Sequence, residues 1–398
     1  MQPATSSFTH LACPECNQQF DADSVQTFCR QCQSPILAQY DLATLRNIFD
    51  PHEIKKRPRG LWRWAELLPV RESCHQITLG EGDTPLLDAP HLAKGLGLKY
   101  LFIKDESTNP TATFKARGIA VAVSRAVELG IHSFVIPTAG NAGGALAAYS
   151  ARANCTTDVF MPNDSPLVNQ REVQAFGGKL HLIQGLINAA ARAAEGYSKH
   201  ESDSATYSND CEWFNMATFK EPYRVEGKKT MGFELAEAFH WELPDVIIYP
   251  TGGGTGLVGI WKAFTELKAI GIISAIPTRL VCVQAAGCAP VVHAFQKGNP
   301  RTETWQDAHT IASGLCVPSV FADRLILRAL KESQGVAISV QDEEIVAAQK
   351  QLAQTEGIFT SPEGAATLAA TKRLVANGWL QPNQKVVLLN TGGGLKYI

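Results

Sequence analysis

One lysine stands between two kinds of sequence in the segment Asn109-Pro110-Thr111-Ala112-Thr113-Phe114-Lys115-Ala116-Arg117-Gly118. Upstream is an extended polar loop, and downstream is an alanine-rich stretch of helical character. An amine at a helix start becomes a nucleophile toward a carbonyl once its surroundings favour the neutral form. By itself Lys115 reads as the solvated lysine of a first helical turn. Two glycine clusters further along, Thr251 to Gly256 and Thr391 to Gly394, change that reading.

Gly252, Gly253, Gly254, Thr255 and Gly256 follow an apolar strand-like run and open a helix-like one. Backbone N–H groups free of side chains can surround a phosphate there, and the helix start adds a favourable field. The same stretch satisfies G-x-G-x-x-G at Gly254, Gly256 and Gly259, so a dinucleotide site is the rival. That rival needs a carboxylate at the end of the next strand, and Leu280-Val281-Cys282-Val283-Gln284 has none. In Asn390-Thr391-Gly392-Gly393-Gly394 the Thr391 hydroxyl can bond a ring nitrogen. A lysine, a phosphate loop and a neutral hydroxyl partner are the parts that hold pyridoxal 5'-phosphate.

Two more motifs bear on a substrate. Thr138-Ala139-Gly140-Asn141 precedes a small-residue helix. Thr138 and Gly140 could take a carboxylate there, and Asn141 could donate to the cofactor's phenolic oxygen. The alternative is a turn in which small residues serve proximity only. Pro222-Tyr223-Arg224-Val225-Glu226-Gly227-Lys228-Lys229-Thr230 sets three cations within six residues just before a helix. It reads either as a solvated helix start or as an anion site, with Arg224 suited to fork onto phosphate.

Of ten cysteines, Cys13, Cys16, Cys29 and Cys32 form two C-x-x-C pairs separated by 12 residues. This spacing predicts four thiolates around a structural zinc, with no open position for catalysis. Cys74, Cys155, Cys211, Cys282, Cys288 and Cys316 are scattered among apolar neighbours and read as buried, reduced thiols.

The 398 residues, with 45% hydrophobic content and 32 glycines, suit a globular enzyme of two or three domains. A formal net charge of −2 gives no drive toward nucleic acid or an anionic membrane. No apolar run approaches the roughly 20 residues of a span, and no signal peptide is evident, so a cytoplasmic protein is expected. Residues 51–59 read as a charged linker. From Tyr100 onward, strands and helices alternate: strands at 100–104, 134–137, 158–161, 180–183, 246–249, 280–283 and 386–389. Helices are expected at 115–129, 142–153, 166–176, 187–198, 343–356 and 365–377, with another running from the Gly252 to Gly256 loop to about Leu267, and Glu201 to Cys211 as a surface loop. This rhythm predicts an α/β protein of two twisted parallel-sheet domains around a central cleft, with a small N-terminal zinc ribbon. The expected boundaries are 1–45 for the ribbon, 46–105 and 225–398 for a large cofactor domain, and 106–224 for a small substrate-closing domain.

As a set, these motifs resemble the threonine synthase family, within the pyridoxal phosphate enzymes of fold type II. Glu81-Gly82-Asp83-Thr84-Pro85-Leu86, the Lys115 segment, Gly140-Asn141, Tyr223 to Thr230, Thr251 to Gly256 and Thr391-Gly392-Gly393-Gly394-Leu395-Lys396 carry the resemblance in the family's order. It implies a lyase acting on O-phosphohomoserine and water to give threonine and phosphate, working as a homodimer. Lys115 would hold the cofactor and move protons. Arg224, with Lys104 or Lys228, would hold the substrate's phosphate. Ala116, Ala139, Ala142 and the asparagine-free phosphate loop depart from the family pattern and point toward serine and threonine dehydratases. A β-eliminating ammonia-lyase is therefore the alternative reading.

Overall fold

The structure is a computed structural model that describes residues 5–203 and 213–398, without the side chains of residues 198–203. The chain divides into two compact units, Met1–Asp83 with Lys115–Thr230, and Thr84–Phe114 with Met231–Ile398. Residues 46–83, expected with the large domain, thus cluster with the first unit. One boundary falls at the Phe114–Lys115 peptide and another inside the helix Arg224–Ala238.

In the first unit the strands Lys179–Ile183, Thr156–Pro162, Ser133–Pro137 and Phe214–Asn215 lie side by side in that order, all parallel. Helix Ile187–Asp203 covers the middle strands, and helices Lys115–Glu128 and Asn141–Arg152 pack on each other. Val135, Phe160, Ala190 and Ala194 fill the space under Ile187–Asp203. That helix runs past the expected Ser198 to Asp203, and the rest of the expected loop lies outside the described residues. The N-terminal segment forms an antiparallel sheet from Phe8–Ala12, Gln19–Phe20 and Leu37–Tyr40, and a hairpin from Phe28–Cys29 and Ser34–Pro35.

Residues 51–56, expected to be a linker, are a helix. Asp50 accepts the His52 N–H at 2.8 Å and Pro51 takes the first turn, where its missing N–H costs nothing. Basic Lys55 and Lys56 then stand at the favourable helix end. The proline was a start signal rather than a break. Trp64 just beyond is fully buried.

The second unit holds a six-stranded sheet in the order Val336–Val340, Arg279–Ala285, Val246–Pro250, Lys385–Asn390, Tyr100–Asp105 and Leu86–Asp88. Every pair is parallel except the last, where Leu87 faces Ile103 in an antiparallel edge. The strands are near-continuous apolar runs because the inner ones are buried on both faces. Helix Pro362–Ala376 lies on the central strands, with the Ser361 hydroxyl accepting the Gly364 N–H at 3.3 Å at its start. Helices Pro290–Lys297 and Asp323–Glu332 and the strand Val336–Val340 were not read from the sequence. Among the described residues no helix is long and apolar enough to cross a membrane.

Candidate active site

In the first unit, Lys115 opens the helix Lys115–Glu128 and is partly exposed. This helix crosses the start of Arg224–Ala238 at two glycines. A Cβ on Gly118 would stand 2.6 Å from the Arg224 carbonyl oxygen and 3.0 Å from Lys228 Cε. One on Gly227 would overlap the Arg117 carbonyl. The backbones therefore touch, which only glycine allows. Arg117 Nη1 fastens the crossing by donating to Thr230 Oγ1 at 2.9 Å.

The crossing brings Lys115, Arg224 and Lys228 into one electropositive cluster. Lys228 is fully buried, and burial, then Lys115, then Arg224 hold its ammonium well below the ordinary lysine range. Arg224 is buried, and its Nη1 donates to the Met216 carbonyl at 2.5 Å. Burial also lowers its pKa, opposed by Glu221. Glu221 Oε2 accepts the N–H groups of Tyr223 and Arg224 at 2.7 and 2.9 Å, capping the helix start. Burial pushes this carboxyl up to about 7.

The strand Ser133–Pro137 delivers Thr138, and the Gly140 N–H donates to Thr138 Oγ1 at 3.2 Å. Helix Asn141–Arg152 then starts with no side-chain cap, and the Gly143 N–H donates to the Gly140 carbonyl at 3.0 Å. Close packing accounts for the next two glycines. A Cβ on Gly143 would meet Val159 at 2.8 Å, and one on Gly144 would overlap the Glu172 carboxylate.

In the second unit, the strand Val246–Pro250 runs into the glycine loop and helix Thr255–Ala269. Gly252 and Gly254 are buried. Among the described residues nothing accepts the N–H groups of Gly252, Gly253 or Gly254. Buried backbone donors are almost always paired, so those of Gly252 and Gly254, with Gly253 between them, define a place for an anion. The loop has no room for side chains. A Cβ would overlap the Gly314 carbonyl from Gly252, Ile326 from Gly254 and the Tyr249 hydroxyl from Gly256. Gly254 also sits at φ +80°, in the left-handed region.

Thr391 follows the strand Lys385–Asn390. Its carbonyl accepts the Phe114 N–H at 3.1 Å and the Thr113 hydroxyl at 3.2 Å. Thr113 pairs with Gly392, and Thr360 with Gly393, as isolated bridges. The peptide immediately before Lys115 is therefore pinned to the turn that carries Thr391. Lys104, expected near a substrate phosphate, is engaged otherwise. Its Nζ donates to the Thr84 carbonyl at 2.6 Å and to Glu234 Oε2 at 2.7 Å, and it is buried. Two of its three donors and its charge are thereby committed.

The sequence reading missed the acids that brace these parts. Glu81 is fully buried and accepts the Tyr149 hydroxyl at 2.6 Å and the Leu79 N–H at 3.0 Å. Glu106 accepts the Thr84 hydroxyl at 2.6 Å and the Asn109 amide at 2.8 Å, shaping the loop ahead of the lysine. Glu221 had a readable signal, an acid three residues before Arg224 at a helix start. The long-range partners of the other two, Tyr149 for Glu81 and Thr84 for Glu106, are distant in sequence and gave none.

At the N-terminus the Sγ atoms of Cys13, Cys16, Cys29 and Cys32 all lie within 4.8 Å of one another. Cys16 and Cys29 are 3.9 Å apart. Thiolates at about 2.3 Å from zinc in a tetrahedron stand roughly 3.8 Å from each other, so the set fits that ion. In each knuckle a sulfur accepts a backbone N–H at 3.5 Å, from Glu15 and from Cys32. Of the other thiols, Cys282 and Cys288 are buried as expected, Cys74 is exposed, Cys155 and Cys316 are half-buried, and Cys211 lies outside the described residues. Apolar neighbours in sequence do not enclose a side chain that lies in a short surface turn.

Residues 77–392 match the family described as pyridoxal-phosphate dependent enzyme. The chain is 33% identical to a threonine synthase of Methanocaldococcus jannaschii over 96% of its length and 92% of the relative's. It is 33% identical to one of Methanosarcina acetivorans over 97% and 92%. The protein belongs to the threonine synthase family of pyridoxal phosphate-dependent enzymes. Its fold is also that of a fungal L-serine ammonia-lyase from Rhizomucor miehei, with a TM-score of 0.66 at 22% identity, covering 78% of this chain and 93% of the other. Maize serine racemase superposes with a TM-score of 0.65 at 22% identity, covering 78% and 88%.

As a member of the threonine synthase family the chain is an enzyme of fold type II, and the fold class expected from the α/β rhythm holds. Each unit, taken by itself, carries groups that fit the cofactor. The bare N–H groups of Gly252 to Gly254 suit a phosphate. The Thr391 hydroxyl makes no hydrogen bond among the described residues, and Lys115 stands at a helix start among cations.

Proposed function

We propose that the enzyme converts O-phosphohomoserine and water to threonine and phosphate. The observation that carries this reading is the buried cluster of Arg224 and Lys228 beside Lys115. The cofactor's phosphate has the glycine-loop amides, so this second cationic site suits a second dianion, which a γ-phosphorylated substrate brings and a simple hydroxy amino acid does not. Relatives named threonine synthase at 33% identity support it.

Bound pyridoxal phosphate supplies an electron sink for carbanions next to the substrate's nitrogen. Lys115 holds the cofactor through its ε-amine. The Lys115 amine, once free, would take the Cα proton and then a Cβ proton, and phosphate would leave from Cγ. Water adds its oxygen at Cβ while protons return to Cγ and Cα, so atoms balance as threonine plus phosphate. Arg224 and Lys228 hold the substrate phosphate, with Lys104 kept as a structural cation. Thr138, Gly140 and the first amides of Asn141–Arg152 hold the carboxylate, and Asn141 donates to the phenolic oxygen. Gly252, Gly253, Gly254, Thr255 and Gly256 hold the cofactor phosphate, and the neutral Thr391 hydroxyl meets the ring nitrogen. Cys13, Cys16, Cys29 and Cys32 hold one structural zinc. A homodimer is the expected assembly.

Phosphate release from O-phosphohomoserine, measured beside keto-acid release from threonine and serine, tests the reading. The expected result is phosphate release with threonine formed. Keto acid from an unphosphorylated amino acid, with O-phosphohomoserine ignored, would establish the ammonia-lyase alternative that Ala139 and Ala142 favour.

A further inference from the structure

The cysteine segment is joined to the anion cluster by three buried or half-buried contacts within the first unit. The strand Leu37–Tyr40 closes that segment, and its Tyr40 hydroxyl donates to Glu226 Oε2 at 2.8 Å. The same oxygen accepts from Lys229 Nζ at 2.6 Å. That ammonium lies 4.0 Å from the centroid of the Tyr40 ring. Glu226 and Lys229 are fully buried. Glu226 belongs to the first turn of Arg224–Ala238, two residues after Arg224 and two before Lys228.

The second contact leaves the other knuckle. Phe28, next to Cys29, carries Lys220 Nζ 4.4 Å over its ring, and Lys220 precedes the capping Glu221. The third lies between the knuckles, where Arg125 Nη2 donates to the Ala22 carbonyl at 2.6 Å. Arg125 belongs to the helix that Lys115 opens. A helix's first turn lacks half its backbone partners and frays unless held from outside. Here it is held by Glu221 within its own loop and by Tyr40 from the cysteine segment.

We propose that the cysteine segment positions the substrate's anion site, with Tyr40 and Glu226 as the positioning residues that hold Arg224 and Lys228 in place. The inference rests on reading Arg224 and Lys228 as the substrate-phosphate site. The metal-held knuckles keep the strand Leu37–Tyr40 and Phe28 ordered, and the contacts above pass that order to the helix start. Lys115 and its covalent hold on the cofactor lie on the other helix and do not depend on Tyr40.

The test uses holoenzyme, with inorganic phosphate as the probe of the site. Tyr40→Phe removes one hydroxyl and leaves the ring and Lys229 in place. It should weaken phosphate binding measured by calorimetry by about fivefold, the scale of coupling through a packed contact. KM for O-phosphohomoserine should rise by a similar factor, with kcat and the cofactor's visible absorbance unchanged. Stripping the metal from the parent with a chelator should shift phosphate affinity the same way, and returning zinc should restore it. Unchanged phosphate affinity in both preparations overturns the proposal, as does a Tyr40→Phe enzyme that loses only thermal stability. If the parent itself fails to bind phosphate, the reading of Arg224 and Lys228 falls first and this inference falls with it.

Discussion

Lys104 and Lys228 are both buried, and their surroundings differ in sign. Lys104 meets Glu234 at 2.7 Å and a backbone carbonyl at 2.6 Å. Lys228 is pressed by Lys115 and Arg224, with Glu221 as the acid that opposes them. A buried ammonium with a carboxylate at contact distance stays charged and holds structure together. One held among cations is pushed toward the neutral amine and gains when an anion arrives. Burial alone therefore says little about a lysine's role, and the charges around it decide.

The largest effect expected on this contrast comes from Lys115→Ala. It should abolish borohydride trapping of the cofactor and reduce turnover to background in a folded protein. It also removes one of the two cations that depress Lys228. Trapping at another peptide would move the cofactor lysine elsewhere. Next, Lys104→Met should cost about 3–5 kcal/mol by leaving Glu234 buried without its partner, seen as a large drop in melting temperature. Lys228→Met should leave melting temperature unchanged or raise it, while weakening phosphate binding. Equal losses of stability from both would end the contrast.

Arg224→Ala should weaken use of O-phosphohomoserine by roughly tenfold or more, since a charge-assisted pair contributes about 1.5–3 kcal/mol. The cofactor spectrum should stay as it is, and competitive inhibition by inorganic phosphate should fade. Unchanged kinetics would remove Arg224 from the site.

The smallest effects are in the pH dependence of stability. Lys228 has its folded pKa depressed, so below the ordinary lysine range the unfolded chain binds more protons and stability falls as pH falls. The advantage of Lys228→Met over the parent should grow in that direction. Glu221 has its folded pKa raised to about 7. Between the ordinary carboxylate range and that value the folded state binds more protons, so stability falls as pH rises. Glu221→Gln should flatten that slope in denaturant melts across the window. A parent with no slope there would remove the buried, proton-binding state of Glu221.

Much of the fold was readable because its signals are local. The helix Lys115–Glu128 is followed by Gly130, whose φ of +81° is a left-handed stop set by residue type alone. The strand-to-glycine-to-helix turn at Gly252 to Gly256 was readable for the same reason. Val336–Val340 was not, because five residues with an irregular burial pattern have no distinguishing period. Leu86–Asp88 was missed likewise, being an edge strand of three residues whose pairing with Tyr100–Asp105 is tertiary. Residues 51–56 were misread because a proline preceded by aspartate opens a helix as readily as it closes a linker.

The sequence by itself determined the chemical inventory: Lys115 at a helix start, glycines where backbone must be bare, four cysteines at knuckle spacing, and a chain of alternating strands and helices. These follow from residue type and near-neighbour spacing, which set local conformation and donor chemistry. The tertiary structure alone decided which charges meet. It gave Lys104 to Glu234 and placed Lys228 against Lys115 and Arg224 through the Gly118–Gly227 crossing. It also reached from Tyr40 across 186 residues to Glu226. Charge partners are chosen by packing between distant segments, and no spacing in the chain records that choice.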